Sequence, residues 1–341
     1  MLDEVLPRLI NGESLTQDEM VLVVQTMVSG QADEVHMAAL LTALRMKGES
    51  VDEIAGAAQA LRKHMTPIQT KQPVFIDTCG TGGDGLGTFN ISTAAAIVTA
   101  AAGLPVAKHG NLAVTSRTGS ADVLAALGVN IEADQPTVER CLKELGLCFC
   151  FAPLFHGAMR HVGPVRRRLP FRTLFNVLGP LANPAGAPFQ LIGVGQPALR
   201  PKLAAALLHL GTRRAAVVCG LDGLDEVSLS GPTHVSLAEN GKVTELVWTP
   251  TDFGLPFSPV DALLADGPQA SAHIIRQLLA GTAGAARDIV LANSAAALWL
   301  AGLADTLPSG VALAAAAIDS QAAAQLLERL ARSTQPAAPS T

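Results

Sequence analysis

A glycine-rich stretch, residues 77–93, constrains the fold of this chain more than any other segment. It follows a short apolar run at 74–76 and precedes an alanine-rich run at 94–102. Within eight positions it carries five glycines, Gly80, Gly82, Gly83, Gly85 and Gly87. Glycine adopts backbone conformations closed to other residues and lets a ligand approach the main chain. With Asn90, Ser92 and Thr93 where a helix N-cap is expected, the stretch predicts a phosphate-binding loop.

After residue 73, short apolar runs alternate with helical segments along most of the chain. The predicted strands are 74–76, 105–107, 148–151, 191–194, 215–219 and 243–247. This alternation predicts an α/β fold, in which a mixed, mostly parallel sheet is flanked by helices. In such folds ligands bind beyond the carboxyl ends of the strands.

The first 65 residues have the pattern of a helical bundle. Capping boxes are predicted at Ser14 or Thr16, as alternatives for one helix start, and at Ser50. Three apolar stripes with helical spacing follow, formed by Met20, Val21, Val24 and Met27, then Val35, Ala38, Leu41, Leu44 and Met46, then Ile54, Ala57, Ala58 and Leu61. We expect a helical domain over 1–70, completed by helices within about 160–185, an α/β domain over 71–334, and a flexible tail over 335–341. The helical domain has the pattern of a packing or dimerisation surface.

Composition excludes several classes of function. The net charge is −5, and the one basic tract is Arg166-Arg167-Arg168, which argues against a nucleic-acid-binding protein. The most apolar windows, 94–107 and 289–304, are interrupted by Gly, Pro, Asn or Ser, so no membrane span is expected. The N-terminus lacks the pattern of a signal peptide. Five cysteines without a C-x-x-C pair indicate neither a disulfide framework nor zinc, so we expect a cytoplasmic protein.

Two common phosphate-loop classes do not fit the glycine-rich stretch. Gly80-x-Gly82-x-x-Gly85 formally matches a dinucleotide fingerprint, but Thr88 and Asn90 still intervene before the helix. Lys108 also stands where that class needs an acidic residue to hold a ribose. A Walker A loop is excluded because no Gly-Lys-Ser/Thr follows.

A second loop of the same kind spans residues 108–120. It follows a short predicted strand and precedes a predicted helix at 121–127, which Ser120 would cap and Gly128 would end. Lys108 supplies a point charge, and Thr115, Ser116 and Ser120 supply hydroxyl groups beside backbone donors. Two such loops on successive strands predict a ligand with phosphate at both ends.

Together these segments resemble the signature loops of the anthranilate phosphoribosyltransferase family. The resemblance is carried by Asp77-x-x-Gly80-Thr81-Gly82-Gly83-Asp84-Gly85, Asn90-Ile91-Ser92-Thr93, Lys108-His109-Gly110-Asn111, Phe151-Ala152-Pro153, Phe155-His156, Met159-Arg160-His161, Val165-Arg166-Arg167, Asn176-x-Leu178-Gly179-Pro180-Leu181-x-Asn183-Pro184 and Asp222-Gly223-Leu224-Asp225-Glu226. The motifs occur in the family's order and spacing over nearly the whole chain. The resemblance implies a homodimer that transfers phosphoribose from phosphoribosyl pyrophosphate to anthranilate with Mg²⁺, in tryptophan biosynthesis.

The resemblance also implies roles for individual residues. Lys108, His109 and Arg166 would be the catalytic residues. Phosphoribosyl pyrophosphate would be held by Gly80, Gly83, Asp84, Thr88, Asn90, Ile91, Ser92, Thr93, Lys108, His109, Gly110, Asn111, Leu112, Ala113, Val114, Thr115, Ser116 and Ser120. Anthranilate would contact Gly80, Asn111, His156, Met159 and Arg166, and Mg²⁺ would bind Ser92, Asp225 and Glu226, directly or through water.

Residue chemistry supports several of these roles independently. Asp225 and Glu226 follow a predicted strand and offer hard oxygen ligands, which suit magnesium on a pyrophosphate. Arg166 can hold a carboxylate through two parallel hydrogen bonds, which lysine cannot do. His109 and His156 are the titratable side chains expected near the acceptor.

The chain departs from the family pattern at a few positions, and two other classes of function are alternatives. Leu112 stands where the family usually has arginine, Gly157 replaces a usual proline, and Arg168-Leu169-Pro170 replaces Glu-Leu-Gly.

A pyrimidine nucleoside phosphorylase would have Ser-Thr-Gly-Gly after Lys-His, where this chain has Gly110-Asn111. A non-catalytic relative that binds nucleic acid is disfavoured by the acidic net charge and by Asp225-Glu226.

Overall fold

The structure is a computed structural model that describes residues 1–113 and 118–336. It begins with four helices, α1 (Leu2–Ile10), α2 (Gln17–Val28), α3 (Glu34–Lys47) and α4 (Val51–His64). Capping boxes start α2 at Thr16 and α4 at Ser50, so the alternative start at Ser14 is wrong. In each box the hydroxyl accepts a backbone N–H that the first helical turn leaves without a partner.

The predicted apolar stripes of α2 and α4 are buried, but the stripe predicted for α3 is partly wrong. Val35 is 78% exposed and Met46 is 83% exposed. The buried positions of α3 are instead Met37, Leu40, Leu41, Ala43 and Leu44. Helical spacing identifies an apolar face, and it does not say whether that face packs inside the chain or stays on its surface.

A seven-stranded sheet forms the centre of the molecule. Its strands are β1 (Ile76–Gly80), β2 (Val106–Gly110), β3 (Leu147–Phe151), β4 (Phe189–Gly193), β5 (Arg214–Gly220), β6 (Thr233–Glu239) and β7 (Lys242–Trp248). The order across the sheet is β3-β2-β1-β4-β5-β6-β7, with parallel pairing from β3 to β5 and antiparallel pairing beyond. The predicted mixed, mostly parallel sheet is confirmed. The first predicted strand was placed too early, and β6 was not predicted.

Helices cover both faces of the sheet. The remaining helices are α5 (Ile91–Ala101), α6 (Ser120–Ala126), α7 (Gln135–Leu145), α8 (Ala152–Phe155), α9 (Gly163–Arg168), α10 (Phe175–Leu178), α11 (Leu199–His209), α12 (Gly267–Leu279), α13 (Ala285–Leu300), α14 (Leu307–Asp319) and α15 (Ala322–Thr334). Short 3₁₀ helices span Gly157–His161, Gly179–Leu181, Pro250–Phe253 and Val260–Leu263.

Alternate residues of the central strands enter two separate cores. Leu191 of β4 and Val218 of β5 join the core that contains α5 and α13, whereas Ile192 and Val217 join the core that contains α1–α4. This division follows from the two-residue period of a strand, which sends successive side chains to opposite faces. The second core also takes side chains from 162–182, next to the four N-terminal helices. The domain boundaries at 70 and 334 stay a prediction, and residues 337–341 of the predicted tail lie outside the described residues.

Among the described residues, no single helix is long and apolar enough to cross a membrane, and only the bent pair α14 and α15 passes that test together.

Candidate active site

A cavity of about 680 Å³ lies beside the carboxyl ends of β1, β2 and β5, a volume typical of small-molecule sites. The glycine-rich loop, the second loop, the acidic turn after β5 and the segment 152–182 all contribute to its wall. The predicted site residues that line it are Gly80, Gly83, Asp84, Thr88, Asn90, Ile91, Ser92, Lys108, His109, Gly110, Asn111, Leu112, Ala113, Ser120, His156, Met159, Arg166, Asp225 and Glu226.

One described residue of the predicted set is not part of this wall. The Thr93 side chain is buried in the first turn of α5 and does not line the cavity, so its contact with the ligand stays a prediction. Val114, Thr115 and Ser116 lie outside the described residues. The predicted cap of α6 is also wrong, because the helix begins at Ser120 and Gly119 occupies the N-cap position.

The glycine-rich loop is anchored at both ends by backbone hydrogen bonds. At its start, the Thr81 N–H donates to the Gly193 carbonyl over 2.9 Å. At its end, the Phe89 N–H donates to the Leu263 carbonyl over 2.9 Å, and the Ala265 N–H donates to the Gly87 carbonyl over 3.0 Å. The loop therefore spans the cavity between two fixed points.

Asn90 joins this loop to a distant helix instead of capping α5 with its side chain. The Asn90 N–H donates to Ser271 Oγ over 3.0 Å, and the Ser271 hydroxyl donates to Asn90 Oδ1 over 2.9 Å. The side chain makes no capping hydrogen bond, although Asn90 is the N-cap residue of α5. The open amides at this helix start are thus left for other acceptors.

One of those acceptors is Glu226. The Ser92 N–H donates to Glu226 Oε1 over 3.0 Å, which places the acidic turn against the start of α5. Lys108 lies below the same point and is 2% exposed. Its Nζ donates to the Thr78 carbonyl over 2.5 Å and to Ser92 Oγ over 3.3 Å. Burial lowers the Lys108 pKa, and the negative charge of Asp77 opposes that effect.

Asp77, at the second position of β1, positions the neighbouring strand end. Its Oδ1 accepts the His109 N–H over 3.1 Å, and its Oδ2 accepts from Asn183 Nδ2 over 2.8 Å. Asn183 also donates to the Ala107 carbonyl over 2.8 Å. Burial raises the Asp77 pKa, and the bond from Asn183 opposes the rise. This network holds β2 where Lys108 and His109 reach the cavity.

The acidic pair after β5 carries strongly shifted pKa values. Burial raises the pKa of Asp225 to about 7, and the adjacent Asp84 carboxyl adds to the rise. Burial also raises the pKa of Glu226 to about 8, with the charge of Asp225 as the next cause. Carboxylates held this close in a buried site favour either a shared proton or a bound cation.

The donor set fits a magnesium ion that also binds a ligand. Asp225 and Glu226 supply carboxylate oxygens and Ser92 supplies a hydroxyl, which are the hard ligands Mg²⁺ prefers. Within residues 1–113 and 118–336, no group of three or more His, Cys, Asp or Glu side chains forms a ready metal site. Magnesium commonly binds through one or two carboxylates together with water and substrate phosphates, so this sparse set is adequate.

Two neutral histidines face each other on the cavity wall. The rings of His109 and His156 lie 5.1 Å apart between centroids. Burial lowers the pKa of His109 to about 3 and that of His156 to about 4. Each ring makes a hydrogen bond to a backbone group, of Gly179 and of Ala182 respectively, and neither Nε2 has a partner among the described residues. The pair therefore offers two hydrogen-bond acceptors to a ligand.

Arg166 is the half-buried cation of the basic tract. Its guanidinium lies 5.7 Å from the centre of the Phe175 ring, and burial lowers its pKa. Among the described residues, no carboxylate lies within ion-pair distance of it. Arg168, by contrast, is exposed and pairs with Glu34 at 2.7 Å. Arg166 thus lines the cavity without a carboxylate partner among the described residues.

Sequence reasoning missed the residues that hold the two loops in place. Asp122 Oδ2 accepts the N–H groups of Ala113 and Gly119, both over 2.8 Å, and so joins the described ends of the second loop. Arg172 donates to two carbonyls of the glycine-rich loop. Ser271 is the third such residue, because its hydrogen bonds to Asn90 fix the end of the glycine-rich loop. For Asp122 the capping spacing at a helix start was an available signal. For Arg172 and Ser271 no local signal exists, because their partners are distant in sequence.

Comparison with known proteins agrees with this geometry. Residues 72–324 match the model of the glycosyl transferase family a/b domain, and residues 3–65 match that of its helical bundle domain. The chain is 52% identical to the anthranilate phosphoribosyltransferase of Rhodopirellula baltica over 94% of both chains. It is 49% identical to that of Moorella thermoacetica over 97% of both. The chain belongs to the anthranilate phosphoribosyltransferase family.

Solved structures of anthranilate phosphoribosyltransferases share the whole fold. The enzyme from Thermus thermophilus has a TM-score of 0.92 and 42% identity, over 97% of this chain and 99% of that one. The enzyme from Saccharomyces cerevisiae was solved in complex with PRPP and Mg, with a TM-score of 0.87 and 30% identity over 98% and 97% of the two chains. The yeast enzyme was also solved with 4-fluoroanthranilate, with a TM-score of 0.84 and 30% identity over 94% and 93%.

Proposed function

We propose that this chain transfers the phosphoribosyl group of 5-phosphoribosyl 1-pyrophosphate to the amino group of anthranilate in tryptophan biosynthesis. The products are N-(5-phosphoribosyl)anthranilate and pyrophosphate. One observation carries the proposal: a single cavity joins two phosphate-type loops, a partly buried acidic pair and an arginine that has no carboxylate partner among the described residues. The relatives named above, which carry this activity in their names and match nearly the full chain, support it.

The phosphoribosyl donor would lie across the two loops. The glycine-rich loop offers backbone N–H groups to the pyrophosphate, and the start of α5 adds the positive end of a helix dipole. Asp225, Glu226 and Ser92 would hold Mg²⁺, and the solved complex of the yeast enzyme with PRPP and Mg supports the choice of this ion. When bound, the ion would offset the negative charge of the pyrophosphate. Lys108, below the loop, offsets the charge of the acidic residues around it.

Anthranilate would occupy the wall formed by Asn111, His156, Met159 and Arg166, near Gly80. Arg166 can bind the carboxylate with both arms of its guanidinium, since no internal carboxylate competes among the described residues. Holding the amine in line with the bond that breaks supplies much of the rate. The amine nitrogen forms the new bond to the anomeric carbon as the carbon–oxygen bond to pyrophosphate breaks.

The reacting amine must then lose one proton. Nε2 of His109 and Nε2 of His156 are the buried acceptors available for it. An arylamine that has formed a fourth bond is a strong acid, so imidazoles with lowered pKa values are basic enough to accept the proton. Their neutral state also avoids a cation close to the positive charge that develops on the ribose.

We also propose a homodimer formed through the helical domain. Val35 and Met46 are exposed and lie eleven residues apart on α3, which is about three helical turns and so one face. Exposed apolar stripes of this kind mark contact surfaces. In sedimentation experiments we expect the wild type to be a dimer and the double variant Val35→Asp/Met46→Glu to be a monomer. A monomeric wild type would contradict the proposal.

A cytoplasmic location is proposed from the cysteines. All five are free thiols, which is typical of a reducing compartment. Fractionation of cells that produce the protein should recover it with cytoplasmic markers, and recovery in another fraction would contradict the assignment.

The activity is tested by following anthranilate fluorescence with phosphoribosyl pyrophosphate. We expect consumption of anthranilate with Mg²⁺ and its loss when EDTA removes the metal. The matched control restores Mg²⁺ in excess over EDTA. Fluorescence that stays constant in the complete mixture would refute the proposed function.

A further inference from the structure

Arg172 makes a contact that the functions assigned so far do not use. Its Nη1 donates to the Gly82 carbonyl and its Nη2 donates to the Thr81 carbonyl, each over 2.8 Å. The two partners are successive carbonyls of the glycine-rich loop, 90 and 91 residues away in sequence. A planar guanidinium can bind both at once because its donors form a fixed fork.

This contact determines which way the loop amides point. In a planar trans peptide the C=O and N–H groups point in opposite directions. The Thr81 carbonyl shares its peptide with the Gly82 N–H, and the Gly82 carbonyl shares its peptide with the Gly83 N–H. Because both carbonyls turn toward Arg172, both amides turn to the opposite side of the loop. Two successive N–H groups on one side form a concave anion-binding surface.

The loop sequence allows this arrangement because both residues are glycine. Gly82 has φ +61° and Gly83 has φ +83°, a region that glycine enters without strain. A Cβ on Gly83 would also overlap Nη1 of Arg172. Position 83 therefore needs glycine for its backbone conformation and for the close approach of the guanidinium.

The amide side of the loop is the acidic side of the cavity. The Gly82 N–H faces the Asp225 carboxyl group. A Cβ on Gly80 would also lie 3.0 Å from Asp225 Oδ2. The Gly82 and Gly83 amides thus face the carboxylates that we assign to Mg²⁺, where a pyrophosphate would bind.

We propose that Arg172 is a positioning residue, which orients the Gly82 and Gly83 amides toward the pyrophosphate by binding the carbonyls of Thr81 and Gly82. This inference rests on the proposed function, because it assumes that the loop binds the pyrophosphate end of the donor. Arg172 acts through the loop backbone, so both its geometry and its charge matter.

The test measures binding of inorganic pyrophosphate with Mg²⁺ by titration calorimetry, which needs no turnover. Arg172→Met removes the fork at similar length, and Arg172→Lys keeps the charge without the fork. Arg168→Met is the matched control, since it removes an exposed arginine that pairs with Glu34. We expect Arg172→Met to weaken binding about 10- to 100-fold, as for loss of charge-assisted hydrogen bonds. Arg172→Lys should weaken it nearly as much, and Arg168→Met less than about twofold.

A steady-state measurement separates positioning from a general loss of structure. Arg172→Met should raise KM for phosphoribosyl pyrophosphate by a similar factor and leave KM for anthranilate within about twofold. If Arg172→Lys binds pyrophosphate like the wild type, charge alone suffices and the inference is wrong. Equal increases in both KM values would also overturn it, because they would indicate general damage to the site.

A second variant keeps the inference testable if Arg172→Met does not fold. Gly83→Ala would displace the guanidinium, and its effect should be smaller in an Arg172→Lys background than in the wild type, since the contact is already broken there. Fully additive effects would refute the coupling. Failure of the proposed function is a different result: the wild type would then neither bind pyrophosphate nor consume anthranilate.

Discussion

Two groups of charged side chains in this molecule differ in how completely they are paired. In the helical domain, Glu53 is 0% exposed. Its Oε1 accepts the Leu15 N–H over 3.0 Å, and its Oε2 accepts from Lys47 Nζ and from the Ser50 N–H, each over 2.8 Å. In the cavity, Asp225 and Glu226 are partly buried beside another carboxyl group, and this burial raises both pKa values.

Glu53 is a charge that stabilises the fold, whereas Asp225 and Glu226 are charges available to bind a ligand. A buried carboxylate is tolerated when a cation and N–H groups compensate it, as at Glu53. At Asp225 and Glu226 the compensation is incomplete, and the same holds for Arg166, which has no described carboxylate partner. Groups with incomplete pairing are strong candidates for ligand contacts. Substitutions in each group, and removal of the metal, test this contrast.

Neutralising the acidic pair should abolish activity without destabilising the fold. For Asp225→Asn/Glu226→Gln we expect a loss of activity of at least about 1000-fold, since the ligands for Mg²⁺ are removed. Unfolding in urea should show equal or higher stability than the metal-free wild type, because buried like charges are removed. A variant that is clearly less stable would show that the pair supports the fold, and the contrast would fail.

Neutralising Glu53 should destabilise the fold and leave the activity nearly unchanged. For Glu53→Gln we expect the free energy of unfolding to fall by about 3 kcal/mol, because the charge of buried Lys47 loses its partner. Activity at a temperature where the variant is folded should stay within about twofold of wild type. Glu13→Gln, an exposed residue that pairs with Arg8, is the control and should change stability by less than about 0.5 kcal/mol.

Without metal, the acidic pair should make stability depend on pH. The folded-state pKa values, about 7 and about 8, are raised above those of the unfolded chain. Their stabilising contribution is therefore complete below the unfolded pKa near 4 and is lost as pH rises through 7 and 8. The melting temperature of the EDTA-treated protein, relative to that of Asp225→Asn/Glu226→Gln, should fall between pH 6 and 9. A constant difference across that range would contradict the shifted pKa values.

Removing Arg166 should affect one substrate more than the other. We expect Arg166→Ala to raise KM for anthranilate about 10- to 50-fold, because a bidentate carboxylate contact is lost. KM for phosphoribosyl pyrophosphate should change far less. Arg167→Ala is the neighbouring comparison, and its effect on anthranilate should be smaller. An unchanged KM for anthranilate would remove Arg166 from the acceptor site.

The smallest expected effect is that of Leu112 on the binding of phosphoribosyl pyrophosphate. It is 46% exposed at the cavity, where the family usually has arginine. Leu112→Arg should tighten binding of phosphoribosyl pyrophosphate by about two- to fivefold, since an added exposed charge contributes modestly. Leu112→Gln controls for polarity without charge and should leave binding unchanged. Equal binding by all three proteins would show that this position tolerates the change.

The fold was largely predictable from apolar patterning, with errors that have physical causes. Parallel strands such as β4 and β5 are buried on both faces and so appear as continuous apolar runs. β6 was missed because His234, Ser236 and Glu239 interrupt its apolar residues. Val35 and Met46 belong to a predicted apolar stripe and are nevertheless exposed, because helical spacing does not distinguish a core face from an exposed one.

The site was predictable where function is carried by motif side chains. Asp225, Glu226, Lys108 and Arg166 all line the cavity as expected. The supporting contacts were not predictable, because they join side chains to backbone groups of distant segments. Arg172 is an example, because no local sequence pattern predicts that it binds the Thr81 and Gly82 carbonyls.

The hydrogen bonds between Asn90 and Ser271 have a consequence for folding order. They join residues 181 positions apart, and Ser92 and Glu226 are 134 positions apart. Contacts of such sequence separation form late, because closing a long loop carries an entropic penalty. A ribosome-bound chain that stops just before residue 271 would contain the motifs and all seven strands, but not the support for the start of α5. We therefore expect substrate affinity to emerge near the end of synthesis, when α12 has been made and has packed.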